Sequence, residues 1–397
     1  MKKAYAVIGA NFGDEGKGLM TDYFCRTNDN PIDIRINGGA QAGHTVCTPE
    51  GERHIFSHIG AGYFAGADTY LSEFFIANPM LFVKEKNILG DLTQKIFADK
   101  RCRVTLPCDM LLNQFAERLR NINRHGSCGT GIFETVKRCE NPQNRILYSD
   151  MTDIPENVLI QKIKAINSGY CLERAEQLGI TRENSPEFFE LLENENITMN
   201  YISDLEYMKN ICITADENII ENYDTAVFEG AQGLMLDRDM EDYFPNLTPT
   251  NTGMKNVRSI LNRLEKRDTE ICYVTRSYFT RHGAGRFDTE CKEIQNKYNL
   301  YDKTNVTNEF QGDFRYGWFD LPEFMHSLKI DRKYALKDKI SIAVTHLDMT
   351  DGMIICPTGK LMPEDIAYMA GTAKVYKSFG ETAENIIENV PVFTRSM

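Results

Sequence analysis

The stretch AYAVIGANFGDEGK, residues 4–17, decides the fold of this chain. Its apolar run from Ala4 to Ile8 is short enough to be a buried parallel strand. A glycine-rich turn follows, and a helical pattern of apolar residues begins near Lys17. A strand, a glycine-rich turn and a helix in this order present backbone N–H groups and a positive helix end to a phosphate. The stretch therefore predicts an α/β protein with an anion site after its first strand.

This turn differs from a Walker A phosphate loop. The spacing from Gly9 to Gly16 is longer than the Walker spacing, and Gly18 replaces the Ser or Thr that would bind magnesium. Two acids, Asp14 and Glu15, lie inside the turn. Because acids repel phosphate unless a metal or the reaction requires them, we interpret the loop as part of the chemistry as well as of binding.

Composition and charge restrict the class of protein. The 397 residues carry a net charge of −12, which argues against broad binding to nucleic acid or anionic membranes. The 11 cysteines form no C-x-x-C pair, a pattern typical of reduced thiols, and zinc is not expected. The sequence also lacks an apolar run of about 18 residues. We therefore expect a cytoplasmic protein without membrane or nucleic-acid partners.

Strand ends recur before polar, glycine-rich loops. Besides the first strand, such loops follow predicted strands at residues 33–36, 225–228, 271–280 and 340–344. In a doubly wound sheet, the carboxyl ends of the strands form one crevice. We therefore predict an α/β fold with a doubly wound, mostly parallel central sheet of the P-loop-NTPase-like type, and a ligand site along this edge.

The remaining segments complete the expected architecture. Strands are predicted at 69–78 and 101–106, short edge strands at 353–356 and 372–377, and a short helix at 381–389. Residues 141–222 are polar, helical in pattern and poor in strands. This predicts a helical sub-lobe inserted in a single domain that spans residues 1–397.

Two loops allow more than one interpretation. His44 lies in a loop that also contains three glycines, and it is either a packing residue or a titratable group that faces a ligand. The loop at residues 125–131 is either a flexible linker or an anion loop with hydroxyl and N–H donors.

Taken together, six sequence blocks resemble those of the adenylosuccinate synthetase family. They keep the order of that family across nearly the whole chain, and the first and third blocks are highly specific. The blocks are residues 13–18 (GDEGKG), 41–45 (QAGHT), 228–233 (FEGAQG), 280–285 (TRHGAG), 317–320 (GWFD) and 345–348 (THLD).

The resemblance implies an enzyme that uses GTP and Mg²⁺ to phosphorylate the 6-oxo group of a purine nucleotide, with IMP as the default substrate. The amine of aspartate then displaces the phosphate and gives adenylosuccinate. The resemblance also implies a homodimer that acts on small-molecule substrates.

Catalysis would fall to Asp14, Lys17 and His44 if this resemblance holds. Asp14 would remove the N1 proton of the purine and bind Mg²⁺, with the carbonyl oxygen of Gly43 as a second metal ligand. Lys17 would hold phosphate, and His44 would stabilise the transferring phosphoryl group or donate a proton to its oxygens. These roles suit phosphoryl transfer, which depends on positioning and charge neutralisation.

The resemblance implies three further sets of contacts. Asp348 would accept hydrogen bonds from guanine, which implies GTP rather than ATP, and Arg138 would reach the purine nucleotide across a dimer interface. Arg315 would bind the amino acid. The GTP set is Gly13, Glu15, Gly16, Lys17, Gly18, Gly43, His44, Thr45, His346, Asp348 and Gly380. The purine-nucleotide set is Asp14, Gln41, Ser127, Cys128, Arg138, Gln232, Thr248 and His282.

The chain departs from the family pattern on loops that contact substrate. The family's Thr-Thr-Gly-Arg run and the arginines after it are replaced by residues 308–316, where Arg315 is the one arginine. Gln41 replaces an Asn, Ser127 and Cys128 replace two threonines, and His346 replaces a Lys. This favours retained chemistry with an altered purine or amino acid. Viral relatives act on dGMP, but carry Ser where this chain has Asp14; a nucleotide-binding protein that has lost ligation is a third alternative.

Overall fold

A ten-stranded sheet forms the centre of the computed structural model, which describes residues 1–121, 125–305, 312–372 and 374–389. The strands of these ranges are β1 (Lys3–Gly9), β2 (Pro31–Arg35), β3 (His44–Cys47), β4 (Arg53–Phe56), β5 (Asp68–Leu71), β6 (Ile76–Ala77), β7 (Ile96–Asp99), β8 (Arg103–Val104), β9 (Ile213–Ala215), β10 (Thr225–Gly233), β11 (Asp268–Arg276), β12 (Phe279–His282), β13 (Phe314–Gly317), β14 (Lys339–Thr345), β15 (Ile354–Cys356), β16 (Gly359–Leu361), β17 (Lys374–Ser378) and β18 (Ile386–Asn389).

Helices cover the sheet and form a lobe beside it. They are α1 (Lys17–Arg26), α2 (Pro79–Leu89), α3 (Pro107–Arg120), α4 (Ile132–Cys139), α5 (Tyr148–Asp153), α6 (Glu156–Ile166), α7 (Leu172–Gln177), α8 (Pro186–Glu193), α9 (Glu195–Ile211), α10 (Met254–Leu261), α11 (Lys292–Lys297), α12 (Leu321–Asp331) and α13 (Pro363–Met369).

The sheet is parallel except at one edge, and β1 lies at its middle. The strand order is β18, β17, β14, β11, β1, β10, β2, β5, β7 and β9, and β18 pairs antiparallel to β17. Alternate residues of β1 enter different cores: Val7 packs with Phe24 of α1, whereas Ile8 belongs to the core of α10 and α12. Both faces are therefore buried, as a parallel sheet requires. The predicted doubly wound, mostly parallel fold is confirmed.

The segment at residues 141–222 contains α5 to α9, which share a second hydrophobic core with α2 and α3. The segment is not free of strands, because β9 forms the outer edge of the main sheet beside β7. The division into one domain with this inserted sub-lobe stays a prediction. No helix of the described ranges is long and apolar enough to cross a membrane.

Several predicted element boundaries are wrong. The strand predicted at 69–78 is broken after Leu71, because the Ser72 hydroxyl donates to the Arg35 carbonyl and a turn follows. In the region of the strand predicted at 101–106, only Arg103–Val104 pairs, and the neighbouring β7 was missed. The strand at 353–356 belongs to a separate ribbon with β16. Residues 386–389, predicted as helix, form β18 because their backbone pairs with β17.

Candidate active site

A cavity of about 550 Å³ opens at the carboxyl edge of the sheet. The loops after β1, β2, β10, β11 and β14 all contribute to its wall, as the crevice rule for open α/β sheets requires. Nearly all predicted contact residues line it, namely Gly13, Asp14, Gly16, Lys17, Gly18, Gln41, Gly43, His44, Thr45, Ser127, Cys128, Gln232, Thr248, His282, His346, Asp348 and Gly380. The loops therefore converge on one ligand space.

The loop after β1 is held by its own acid. Glu15 is buried, and its carboxylate accepts hydrogen bonds from the backbone N–H groups of Asn11 (3.0 Å) and Gly13 (2.8 Å). The other carboxylate oxygen lies 2.6 Å from the Lys17 ammonium. A Cβ at Gly9 would come within 2.4 Å of this carboxylate, so the loop folds around it. Glu15 does not line the cavity, and its charge organises the loop instead of meeting the ligand.

The Asp14 side chain is arranged differently from that of Glu15. Its side chain lines the cavity, and within the described ranges its carboxylate has no hydrogen bond or ion pair. Burial raises the pKa of Asp14, while the nearby Arg276 and Lys17 oppose that rise. The residue adopts a left-handed backbone conformation, with φ of 61°. A free carboxylate with a raised pKa is suited to remove a proton from a ligand.

His44 begins β3 and is held by a buried acid that the sequence analysis did not assign. Its Nδ1 atom contacts the Glu229 carboxylate, which leaves Nε2 for other partners. Glu229 also receives the Ala61 N–H (3.1 Å) and an ion pair from Arg35 (3.4 Å). Burial alone would raise the pKa of Glu229, but Arg35 and His44 lower it to about 2. Burial lowers the pKa of His44.

Two glutamines offer unsatisfied acceptors to the cavity. The Oε1 atoms of Gln41 and Gln232 are buried and have no hydrogen-bond donor among the described residues. Gln232 has φ of 57°, so it also occupies the left-handed region that most residues avoid. Strained residues persist where the surrounding structure over-determines them, commonly at ligand sites. Both residues line the cavity, and their amide oxygens lack a donor among the described residues.

A loop from the lobe side closes another part of the cavity. Ser127 accepts a hydrogen bond from the Asn113 side chain at 2.7 Å, and Cys128 contacts the Thr130 hydroxyl. Glu117, which is buried, receives the N–H groups at the start of this loop. The loop at 125–131 is therefore held by specific hydrogen bonds and is not merely a linker.

The far end of the cavity carries a second free acid. Asp348 is exposed to the cavity and has no hydrogen bond or ion pair in the described part of the chain, so its carboxylate can accept two hydrogen bonds. The preceding His346 has φ of 58°, and burial together with Arg276 lowers its pKa well below the usual value. A neutral histidine and a free carboxylate meet the ligand here.

Besides Glu15, two predicted contact residues lie outside the cavity. Arg138 is fully buried, and its guanidinium is occupied by Asp109 (2.8 Å) and by the carbonyl oxygens of Val104 and Asn144. It cannot reach another subunit in this arrangement because all its nitrogens have partners inside the chain. Arg315 donates to the carbonyl oxygens at positions 283 and 285 and supports that loop.

The sequence analysis missed two further charged residues. Arg276, the last residue of β11, lines the cavity and donates to the Asp14 carbonyl oxygen. Asp302 lies 2.7 Å from the Arg276 guanidinium, and burial would raise its pKa but Arg276 lowers it well below the usual value. The one signal in the sequence for Arg276 was a charged residue at the end of a predicted buried strand.

These features by themselves define a class of protein. A glycine-rich loop, a free carboxylate and a carboxylate-held histidine at the carboxyl edge of a parallel sheet are typical of a phosphoryl-transfer enzyme that binds nucleotides. The family model for adenylosuccinate synthetase matches residues 6–391. The chain therefore belongs to the adenylosuccinate synthetase family, whose members are GTP-dependent ligases that require Mg²⁺.

Curated relatives and solved structures agree with this family. The adenylosuccinate synthetase of Borrelia duttonii (strain Ly) is 26% identical, over 98% of this chain and 91% of its own length. That of Mesoplasma florum is 28% identical, over 94% of this chain and 83% of its own.

Two solved structures have the same fold. The fully ligated adenylosuccinate synthetase of Plasmodium falciparum matches with a TM-score of 0.70 at 20% identity, over 98% of this chain and all of that one. The succinoaminodeoxyadenylate synthetase (PurZ) of cyanophage S-2L, described as bound to dGMP and dATP, matches with a TM-score of 0.62 at 12% identity, over 98% and 95%.

Proposed function

We propose that this enzyme joins aspartate to IMP at the expense of GTP and forms adenylosuccinate. The observation that carries the proposal is the free carboxylate of Asp14 in the same cavity as His44, Gln232 and Asp348. A base, a phosphoryl stabiliser, a purine contact and a guanine contact are the parts that this reaction needs.

The first step would be activation of the purine. Asp14 takes the proton from N1, the electrons of that bond pass to O6, and O6 attacks the γ-phosphorus of GTP. The bond from that phosphorus to the β-bridging oxygen breaks, and GDP leaves. Lys17 and the N–H groups at the start of α1 hold the phosphates, and His44 lies ready to neutralise charge on the moving group.

The second step would be substitution at C6. The aspartate amine attacks C6, and the C6–O6 bond breaks so that the former 6-oxygen leaves as part of phosphate. Phosphate is a far better leaving group than hydroxide, which explains why the purine must be phosphorylated first. The amine loses a proton as the new C–N bond forms.

The residues present fit a magnesium ion. The Asp14 carboxylate has no hydrogen-bond partner among the described residues, and Gly43 lies on the wall of the same cavity. Magnesium needs one or two protein oxygens because phosphate oxygens and water complete its shell. When bound, the ion would neutralise phosphate charge; Asp14 and Gly43 would hold it.

GTP is proposed as the donor because of Asp348. A carboxylate without a partner can accept hydrogen bonds from both guanine N1–H and the 2-amino group, whereas adenine offers no matching pair of donors. His346, which is neutral, adds no competing charge next to Asp348.

A second substrate, GMP or dGMP, is favoured by a specific observation. The unpaired oxygens of Gln41 and Gln232 call for N–H donors, and guanine has a 2-amino group that hypoxanthine lacks. The fold likeness to a phage enzyme described with dGMP is consistent with this alternative.

Turnover with defined substrates tests both alternatives. The protein is incubated with GTP, Mg²⁺ and aspartate, and with IMP, GMP or dGMP in parallel, and GDP, phosphate and the succinyl nucleotide are measured. Preference for IMP supports the first proposal, and preference for a guanine nucleotide replaces it with the second. GTP binding without turnover on any 6-oxopurine nucleotide would mean that ligation has been lost.

The homodimer and the cytoplasmic location are proposals as well. Arg138 gives no support to a partner contact, because it is buried within its own chain. Light scattering with and without nucleotide would measure the mass in solution; a 45.4 kDa species under both conditions would reject the dimer.

A further inference from the structure

We propose that Arg276 is a positioning residue for this reaction: it holds Asp14 in place and fastens the segment 302–305 across the same cavity. The inference rests on the proposed function, because it assigns a purpose to the geometry of Asp14. It concerns a residue that none of the sequence blocks includes.

Arg276 lies where several cavity loops meet. It ends β11 and pairs with Thr345 of β14, so its side chain leaves the sheet at the carboxyl edge. The side chain is only 3% exposed, although it lines the cavity. Its guanidinium lies 5.3 Å from the Phe314 ring centroid and 5.9 Å from that of Tyr278. An arginine packed in this way has a fixed orientation.

One edge of the guanidinium holds the first loop. Its Nε atom donates to the Asp14 carbonyl oxygen at 2.5 Å. The backbone there is strained, since Asp14 has φ of 61° between two glycines, Gly13 and Gly16, that each have φ of 96°. A strained residue next to flexible ones keeps its conformation only if its surroundings impose it. A hydrogen bond from a cation is among the strongest available for that purpose.

The Nη2 atom of the same guanidinium holds a second segment of the cavity wall. Arg276 donates to the Asp302 carboxylate at 2.7 Å, and this carboxylate accepts the N–H groups of Thr304 and Asn305. Thr304 in turn contacts the hydroxyl of Thr45 at 3.1 Å. Thr45 is the neighbour of His44, so one guanidinium connects the Asp14 loop to the strand that carries His44.

Lysine could not replace this arrangement. Its ammonium is a single point on a flexible stem, whereas the planar guanidinium donates from two nitrogens in fixed directions and stacks on its faces. Arg276→Lys should therefore keep the charge and lose the geometry.

The chain offers a matched control at the other end of the same strand. Arg267 immediately precedes β11, is 5% exposed, and donates to the carbonyl oxygens of Ile220 (2.7 Å) and Tyr223 (3.2 Å). It is far along the strand from the cavity and does not line it. Arg267→Lys therefore removes a buried arginine of similar burial without touching either loop.

Kinetics and hydrogen exchange of the full chain test the proposal together. For Arg276→Lys, we expect kcat to fall about 10- to 100-fold, with the KM for both nucleotides changing less than about threefold. Amides of residues 11–16 and 301–305 should exchange at least about tenfold faster. Arg267→Lys should leave kcat and both segments unchanged. In Asp302→Asn, only the 301–305 segment should exchange faster.

Several outcomes would overturn the proposal. They are an unchanged kcat in Arg276→Lys, an equal loss in both arginine variants, or normal exchange of residues 11–16 when Arg276 is replaced. If the unaltered protein turns over no 6-oxopurine nucleotide, the proposed function fails. The exchange measurement still decides whether Arg276 holds the two segments, since it needs no turnover.

Discussion

The two ends of the cavity are built on different principles. At the phosphoryl end, buried charges occur in pairs, Glu15 with Lys17 and Glu229 with His44, whereas Asp14 has no ion pair within the described ranges. Near the other end, Arg281 lines the cavity and Arg315 lies outside it, and both donate mainly to backbone carbonyl oxygens of their own loops. Burial and the nearby Arg315 lower the pKa of Arg281 to about 10.

This difference separates the type of reaction from the choice of substrate. The phosphoryl end keeps the family's sequence and has a charge arrangement that suits one reaction. The other end contains the family-like block at residues 280–285 but lacks the family's Thr-Thr-Gly-Arg run, and the guanidinium groups of Arg281 and Arg315 support loops. We therefore propose that the first end carries the chemistry and that the second end accounts for any change of substrate.

The most damaging change to the phosphoryl end should be Asp14→Asn. An amide cannot take the N1 proton, so we expect kcat to fall by about 10⁴-fold or more, which is the upper range for removal of a general base. Urea unfolding should give a free energy within about 1 kcal/mol of the original, because the carboxylate has no hydrogen bond or ion pair to the residues that the structure describes. A large loss of stability with modest loss of kcat would instead make Asp14 a structural residue.

Glu229→Gln should have the next largest effect. It preserves shape but removes the charge that orients His44, and we expect kcat to fall about 10²- to 10³-fold with little change in the KM for GTP. Steady-state kinetics with each substrate varied in turn measures this split. An unaffected kcat would show that His44 does not depend on its buried partner.

A buried acid outside both ends of the cavity can be compared with the paired acids at the phosphoryl end. Among the described residues, the Asp331 carboxylate accepts hydrogen bonds from the Met254 N–H and the Tyr273 hydroxyl alone, and burial raises its pKa to about 6. Because the folded pKa exceeds the unfolded one, this acid favours the folded state at low pH. That contribution is lost as pH rises from about 4 to 6, by roughly 3 kcal/mol.

A comparison with Asp331→Asn isolates the contribution of this acid to the free energy of unfolding. The free energy of unfolding of the original protein, minus that of the variant, should increase as pH falls from 7 to 4. A difference that does not change with pH would mean that the pKa of Asp331 is not raised in the folded state. Activity at pH 7 should be unaffected, which separates this acid from Glu229.

Asp348→Asn tests the guanine contact, with a smaller expected effect. Loss of a charged hydrogen-bond acceptor should raise the KM for GTP about 10- to 100-fold and leave the KM for the purine substrate unchanged. Xanthosine triphosphate is the matched probe, because the asparagine amide can donate to its 2-oxo group. An unchanged KM for GTP would place the guanine elsewhere.

The smallest effect is expected for Arg315→Lys. Arg315 supports the 283–285 loop and does not line the cavity, so the KM for aspartate should change less than about threefold. A rise of tenfold or more, with the nucleotide KM values unchanged, would return Arg315 to the amino-acid site and weaken the contrast between the two ends.

Sequence patterns predicted what depends on neighbours along the chain. The strand, turn and helix around residues 4–17 follow from local apolar and glycine signals, and the doubly wound sheet follows from repeated strand ends. Glu15 could not be assigned in this way, because its orientation depends on backbone N–H groups and on glycine 233, which β10 supplies.

Long-range partners explain the remaining failures. The link between His44 and Glu229 spans 185 positions, and nothing in either local sequence specifies it. Arg138 occupies a family position, but its pairing with Asp109 depends on how α3 and α4 pack. The local sequence of β18 predicts a helix. The segment forms a strand because β17 offers it an unpaired edge.

The central claim is that the phosphoryl end transfers the γ-phosphoryl group of GTP to the 6-oxygen of the purine. The direct measurement uses IMP labelled with ¹⁸O at position 6, together with GTP, Mg²⁺ and aspartate, and mass analysis of the phosphate released. If the claim is correct, one ¹⁸O atom appears in each phosphate formed with a succinyl nucleotide. Phosphate without label would contradict it, because GTP would then have been hydrolysed by water.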